Sequence, residues 1–163
     1  MPTRTKRLNR LAAQAERPAP QAVRFYLPVD TLSTANLREH WTKRYKRNKA
    51  HREAGFLYTY KALHQANLDL TGQVALVRIT TIGYRRRDND NNVISCKGLR
   101  DGIAQALKRD DGDVSLTWIY DRKPEVEGRK RGVVVDIAQY EPPHHKPAAT
   151  DWVFKKTMAD IGD

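Results

Sequence analysis

Asp88 and Asp90 stand one residue apart, directly after Arg85, Arg86 and Arg87 and ahead of Lys97 and Asp101. Carboxylates hold hard divalent cations through oxygen, and such donors suit magnesium or manganese better than zinc. Arginines bind and position phosphate. Acids repel a polyanion unless a cation sits between them, so carboxylates joined to an arginine run point to a metal placed on a phosphate backbone. In an extended segment residues two apart point the same way, which would turn Asp88 and Asp90 towards one point. Lys97 and Asp101 are four apart and share a helix face. The plain reading of that pair is an exposed ion pair, worth little. The functional reading sets Lys97 beside the metal, as a cation for charge building on phosphorus. A later cluster, Asp110-Asp111-Gly112-Asp113, offers a third carboxylate or only a turn.

Two alternatives compete for the acidic run. Asp88, Asp90 and Asn92 match the first ligand positions of a calcium-binding EF-hand loop, but the turn glycine would fall at Val93 and the bidentate acid at Leu99, which excludes it. Asp and Asn are also good turn and cap residues. The arginines before the run and Lys97 with Asp101 after it weigh against a turn alone.

The elements that must position these groups follow from periodicity. Residues 1–21 carry Arg4, Lys6, Arg7, Arg10 and Arg17 against Glu16 and read as a flexible basic arm. Val23 to Leu27 reads as a first strand. A basic run, Arg38-Glu39-His40-Trp41-Thr42-Lys43-Arg44-Tyr45-Lys46-Arg47-Asn48-Lys49, opens a long helix to about residue 67. Ala54, Leu57, Tyr58 and Ala62 give that helix an apolar face. Trp41 and Tyr45, four apart, read first as core, with stacking on DNA bases as the lesser reading. Val74 to Ile82 is a strand rich in β-branched residues. A second helix is expected to start near Asn91 or Asn92, either of which can cap it, and to end near Lys108. Val93, Cys96, Leu99, Ile103 and Leu107 are its buried face. Gly98 and Gly102 inside it each cost about 1 kcal/mol relative to alanine, so close backbone packing is the expected reason for them. Val114 to Tyr120 and Gly132 to Ala138 read as two closing strands, an antiparallel pair, separated by a basic loop with Lys123, Arg129, Lys130 and Arg131. The expected fold is α/β (α+β), a small mixed sheet with two main helices in the order β-α-β-α-β-β. The domain spans residues 22–140, and 141–163 form a linker and C-terminal tail. His144-His145 in that linker is an incidental pair rather than a metal site.

Composition bounds the partner. The chain has 163 residues and a net charge of +11, clustered rather than spread, which favours a polyanion, nucleic acid ahead of an acidic membrane surface. Cys96 is the single cysteine, so no internal disulfide forms and a reducing cytoplasm fits. No apolar run spans a bilayer and no secretory signal is visible.

Taken together, Asp88-x-Asp90-Asn91, Lys97, Asp101-Gly102-Ile103 and Asp110-Asp111 resemble the RusA family of Holliday-junction resolvases, closest to its phage and prophage members. Asn36, Arg38, His40, Trp41, Lys43, Arg44 and the stretch from Lys49 to Ala54 are similar to the basic opening of those proteins. Gly128-Arg129 and Gly132 fit the approach to their final strand. The resemblance covers roughly residues 23–138. It implies a homodimeric, magnesium-dependent endonuclease, with manganese a possible substitute, that nicks four-way DNA junctions in recombination and repair in a bacterial or phage-infected cell. By position Asp88, Asp90 and one later acid would bind the metal, and Lys97 would match the family's essential lysine. The stretch from Asp101 to Asp111 is shorter than usual and lacks the turn glycine, which leaves the third ligand open among Asp110, Asp111 and Asp113, with Asp111 favoured. Arg38, Lys43, Arg44, Lys46, Arg47, Arg85, Arg86 and Arg87 would contact the DNA backbone. The Gly98/Gly102 pair gives the dimer only slight support. Two other functions stand beside this one: a non-catalytic nucleic-acid-binding module, and a nuclease for other branched DNA.

Overall fold

The computed structural model describes residues 21–31, 39–83, 89–124 and 131–140. The N-terminal arm, Arg38, Arg85 to Asp88, Arg129 and Lys130, the His144-His145 linker and the C-terminal tail lie outside the described residues. Along the chain come β1 (Ala22–Leu27), α1 (Trp41–Gln65), β2 (Ala75–Gly83), α2 (Asn89–Ser95), α3 (Lys97–Ala106), β3 (Leu116–Pro124) and β4 (Gly132–Gln139). The strands form one mixed sheet in the order β1-β4-β2-β3. β4 runs antiparallel to both β1 and β2, while β2 and β3 are parallel. The expected α+β class holds.

The expected pairing of the last two strands does not. β3 joins the far edge of the sheet, and β4 inserts between β1 and β2. Two helices separate β2 from β3, which is the connection that a parallel pair requires. β3 also starts later than the sequence suggests: Val114 is 99 % exposed, because the turn from Asp110 to Ser115 runs on before the strand begins.

One face of the sheet carries the main core. Val77, Ile79, Val135 and Ile137 meet Leu99, Ile103 and Leu107 from α3, all at most 1 % exposed, with Trp118 and Tyr120 packed beside them. The helical period of 96, 99, 103 and 107 therefore reads correctly, while Val93 at its start is only half-buried. The expected single helix is broken, however. Cys96 separates α2 from α3. Its amide is shared between the carbonyls of Asn92 and Val93, and the Ser95 hydroxyl donates to the Asn92 carbonyl. A serine bonded back to its own helix competes with the regular ladder. Cys96 itself is buried, as expected.

The apolar face predicted for α1 is wrong in part. Leu57 and Tyr58 are exposed, and the buried positions are His51, Gly55, Thr59, Ala62 and Leu63. The stripe was chosen by its neighbour. A Cβ on Gly98 would lie 2.7 Å from the Asn48 carbonyl oxygen, and one on Gly55 would lie 2.7 Å from that of Leu99. A Cβ on Gly102 would collide with the Arg52 carbonyl. The two backbones touch, so the glycines sit where no side chain fits. Gly98 and Gly102 are used within the chain, which removes them as support for a dimer. α3 then ends at Leu107, and Lys108 takes the left-handed turn itself, at φ 58°.

Candidate active site

Asp90 lies in the first turn of α2 and is exposed. Asp90 is therefore helical, not part of an extended segment, and Asp88 lies outside the described residues. Neither Asn91 nor Asn92 caps the helix, since both lie inside it. Asn92 has a different task. It is buried, accepts from the Thr81 hydroxyl at 2.9 Å, and donates through Nδ2 to the Asp121 carbonyl at 3.2 Å. This one amide ties α2 to β2 and β3 and so fixes where Asp90 and the start of α3 stand.

The turn between α3 and β3 sorts its three acids. Asp110 Oδ1 accepts from the Gly112 amide at 3.0 Å. Asp113 Oδ1 accepts from the Ser115 amide at 2.8 Å and its hydroxyl at 2.6 Å, which hold its carboxyl below the usual range. Both are turn-forming carboxylates. Arg109 anchors the turn from behind, donating to the Leu70 carbonyl at 2.8 Å and to Ser115 Oγ at 2.9 Å. Asp111 reaches back to α3 instead. Its Oδ2 takes Nε of Arg100 at 2.9 Å and also Nη2 of the same guanidinium. The Trp118 indole donates to the Asp111 carbonyl at 3.2 Å, and Arg100 lies over the Trp118 ring with its carbon 5.8 Å from the centroid.

The charges around Asp111 shape its titration. The Arg100 hydrogen bonds hold its carboxyl below the usual carboxylate range, with the Lys97 charge acting the same way. Asp101 moves oppositely: burial pushes its carboxyl up, the Asp111 charge adds to that, and Lys97, Arg100 and Arg52 only partly offset them. Burial works against the Arg100 charge, yet its hydrogen bonds to Asp111 and the nearness of the Tyr120 oxygen raise its pKa overall. The Tyr120 hydroxyl sits beside that guanidinium without an aligned hydrogen bond, and burial pushes its pKa up. Lys97 is exposed at the first position of α3, in the field of both Asp101 and Asp111 rather than in a private pair with Asp101.

Lys97, Asp101 and Asp111 thus share one neighbourhood. Arg100, Trp118 and Tyr120 have no role in the sequence reading, and Asn92, which it suggests as a cap, is a buried cross-link. The alternation of Trp118 and Tyr120 along one strand was a signal for the aromatic backing. Nothing in local spacing joins Arg100 to Asp111 across a turn. Among the described residues no three His, Cys, Asp or Glu side chains gather into a group that could hold a metal. Asp90 is thus not brought into one group with Asp101 and Asp111, and Asp88 lies outside the described residues. What does fit a hard cation is the donor chemistry: a carboxylate whose pKa Arg100 lowers, close to a second acid whose pKa its charge raises.

On α1, Lys43, Arg44 and Lys46 are exposed. Arg47 is not available to DNA as expected: its side chain is 15 % exposed and it pairs with Glu39 at 2.8 Å. Trp41 and Tyr45 are 65 % and 63 % exposed, which overturns their expected place in the core. No protein-family model and no curated protein matches this chain.

Proposed function

We propose that this protein is a magnesium-dependent endonuclease that cuts four-way DNA junctions, as its resemblance to the RusA family implies. The observation that carries the reading is the singling out of Asp111. Of the acids between α3 and β3, it alone leaves the turn to pair with Arg100, in the field of Lys97.

In this reading Asp88, Asp90 and Asp111 hold the metal, which when bound supplies an activated water and a counter-charge for the leaving oxygen. Arg100 orients the Asp111 carboxylate. Lys97 meets the charge that develops on the phosphate oxygens. Lys43, Arg44, Lys46 and Arg85 to Arg87 contact the backbone without reading sequence. A two-fold dimer sets two identical sites on two equivalent strands of the junction, which yields paired nicks. Among the described residues no helix is long and apolar enough to cross a membrane, and the buried thiol of Cys96 fits a reducing compartment.

The test mixes purified protein with a synthetic four-way junction, with and without Mg²⁺, beside duplex and flap controls. Paired nicks that need Mg²⁺ and vanish in Asp111→Asn are expected. An intact junction at every metal concentration, with tight binding retained, would instead make the protein a non-catalytic DNA-binding module. Equal cutting of flaps would widen the substrate to other branched DNA.

A further inference from the structure

The same stripe of α1 that packs on α3 continues past the end of α3. Positions 41, 45, 48, 52, 55 and 59 alternate in steps of four and three, which keeps them on one side of a helix. Asn48, Arg52 and Gly55 meet Gly98, Gly102 and Leu99 of α3. Asn48 faces Gly98 and Arg52 faces Gly102, so the two helices run in the same direction and α3 begins about level with Asn48. α1 begins seven residues earlier. At 1.5 Å per residue its first two turns overhang α3 by roughly 10 Å.

The two stripe positions on that overhang are Trp41 and Tyr45. Each is nearly two-thirds exposed, although the positions that continue the stripe meet the neighbouring backbone. Between Glu39 and Glu53 the chain carries Lys43, Arg44, Lys46, Arg47, Lys49 and Arg52 and no acid. Glu39 is occupied by Arg47. The two rings thus stand in a wholly cationic stretch, one and two helical turns beyond the end of α3 that carries Lys97.

We infer that Trp41 and Tyr45 form a stacking platform for unpaired nucleotides of the DNA substrate. Aromatic faces hold bases whatever their identity, and cations beside them track the phosphates. Paired bases inside a duplex hide their faces, so the platform selects DNA with bases already unstacked, as at the centre of an open junction. An apolar protein segment would gain little from the cations around the rings. The inference rests on the reading of the protein as one that acts on DNA, but not on cleavage.

Binding is therefore measured by anisotropy in EDTA, with labelled single-stranded oligo-dT and with a duplex of the same length. The full chain is compared with Trp41→Ala/Tyr45→Ala and with Trp41→Phe/Tyr45→Phe. The alanine double variant is expected to lose about tenfold or more in affinity for oligo-dT and less than about twofold for duplex. The phenylalanine variant should keep the single-strand affinity within about twofold, because it keeps the π-faces. The slope of affinity against salt should be unchanged, since no phosphate contact is removed. Equal losses on both DNAs, unchanged affinity in the alanine variant, or no binding of oligo-dT by the parent protein would each overturn the platform. A parent protein that shows the single-strand effect yet never cuts DNA would sink the nuclease reading and leave the platform standing. One that cuts junctions equally well with both rings removed, and binds oligo-dT as before, would do the reverse.

Discussion

The two sides of α3 meet their neighbours by opposite means. Towards α1, Gly98 and Gly102 remove side chains so that backbones touch. Towards the turn before β3, Arg100 and Asp101 put charged side chains into a space shared with Asp111 and Lys97. The first side has no slack, and the second is wet and adjustable. A contact between backbones resists any added atom, whereas half-exposed charges are screened and tolerate change. The glycine side should therefore govern stability, and the charged side should govern what the protein does.

The sharpest way to break that division is Gly102→Ala. Its new Cβ would strike the Arg52 carbonyl, a backbone atom that can move only with α1. Overpacking of this kind should cost about 2–3 kcal/mol even after alanine's better helix propensity. Thermal melting would then fall by roughly 5–10 °C. An unchanged melting temperature would mean that the helices separate easily and that the seam is not what holds them.

Arg100→Ala tests the other side. The pair with Asp111 is about 30 % exposed on each partner. Solvent screens it, so about 1 kcal/mol or less should be lost at neutral pH. The sign with pH is fixed by Asp111, whose folded pKa lies below its ordinary value. Its contribution is present above the ordinary carboxylate range and is lost as pH falls through the folded pKa. The gap between parent and variant should thus close in acid, as read by denaturant melts across pH. Under the proposed function, cleavage should drop far more than stability does, because the carboxylate is no longer oriented.

Asp101→Asn should act in the opposite direction and more weakly. The folded pKa of Asp101 is raised, first by burial and then by Asp111. Its ionised form therefore costs stability above the folded pKa, and the cost disappears as pH falls below the ordinary value. The asparagine variant is expected to be more stable at neutral pH by on the order of 0.5 kcal/mol after screening, with no gain in acid. A loss at neutral pH would show that Lys97, Arg100 and Arg52 outweigh burial.

The smallest effect belongs to the overhang of α1. Trp41→Ala/Tyr45→Ala removes two large rings that are mostly in water. The melting temperature should stay within about 2 °C of the parent, in line with surface substitutions of about ±0.5 kcal/mol. A large drop would place the rings in the folded core and cancel the contrast between the two ends of the helix.

Much of this organisation was legible in the residues. The face of α3 was readable because Cys96, Leu99, Ile103 and Leu107 repeat with the helical period, and burial follows that period. Gly98 and Gly102 announced a close approach because nothing else justifies two glycines inside a helix. Their partner was not legible, so Leu57 and Tyr58 were assigned to a face that α3 never meets. The start of α2 was misplaced because Asn92 looks like a cap in sequence and is a buried cross-link in space. Asp110, Asp111 and Asp113 are chemically alike in the chain. Only the hydrogen bonds of a folded turn separate the two that shape it from the one that leaves it.

By itself the sequence determined the α+β class, the rough order and extent of the helices and strands, the basic character of α1, and the nearness of Lys97 to an acid on its own helix. All of these depend on residues a few positions apart, where backbone geometry alone sets the spacing. Tertiary structure decided the parallel union of β2 with β3, the stripe of α1 that is buried, the exposure of Trp41 and Tyr45, and the Arg100–Asp111 contact. Those depend on which surfaces meet across the chain. A pair of glycines decided one meeting and a single arginine the other, and neither partner is encoded by local spacing.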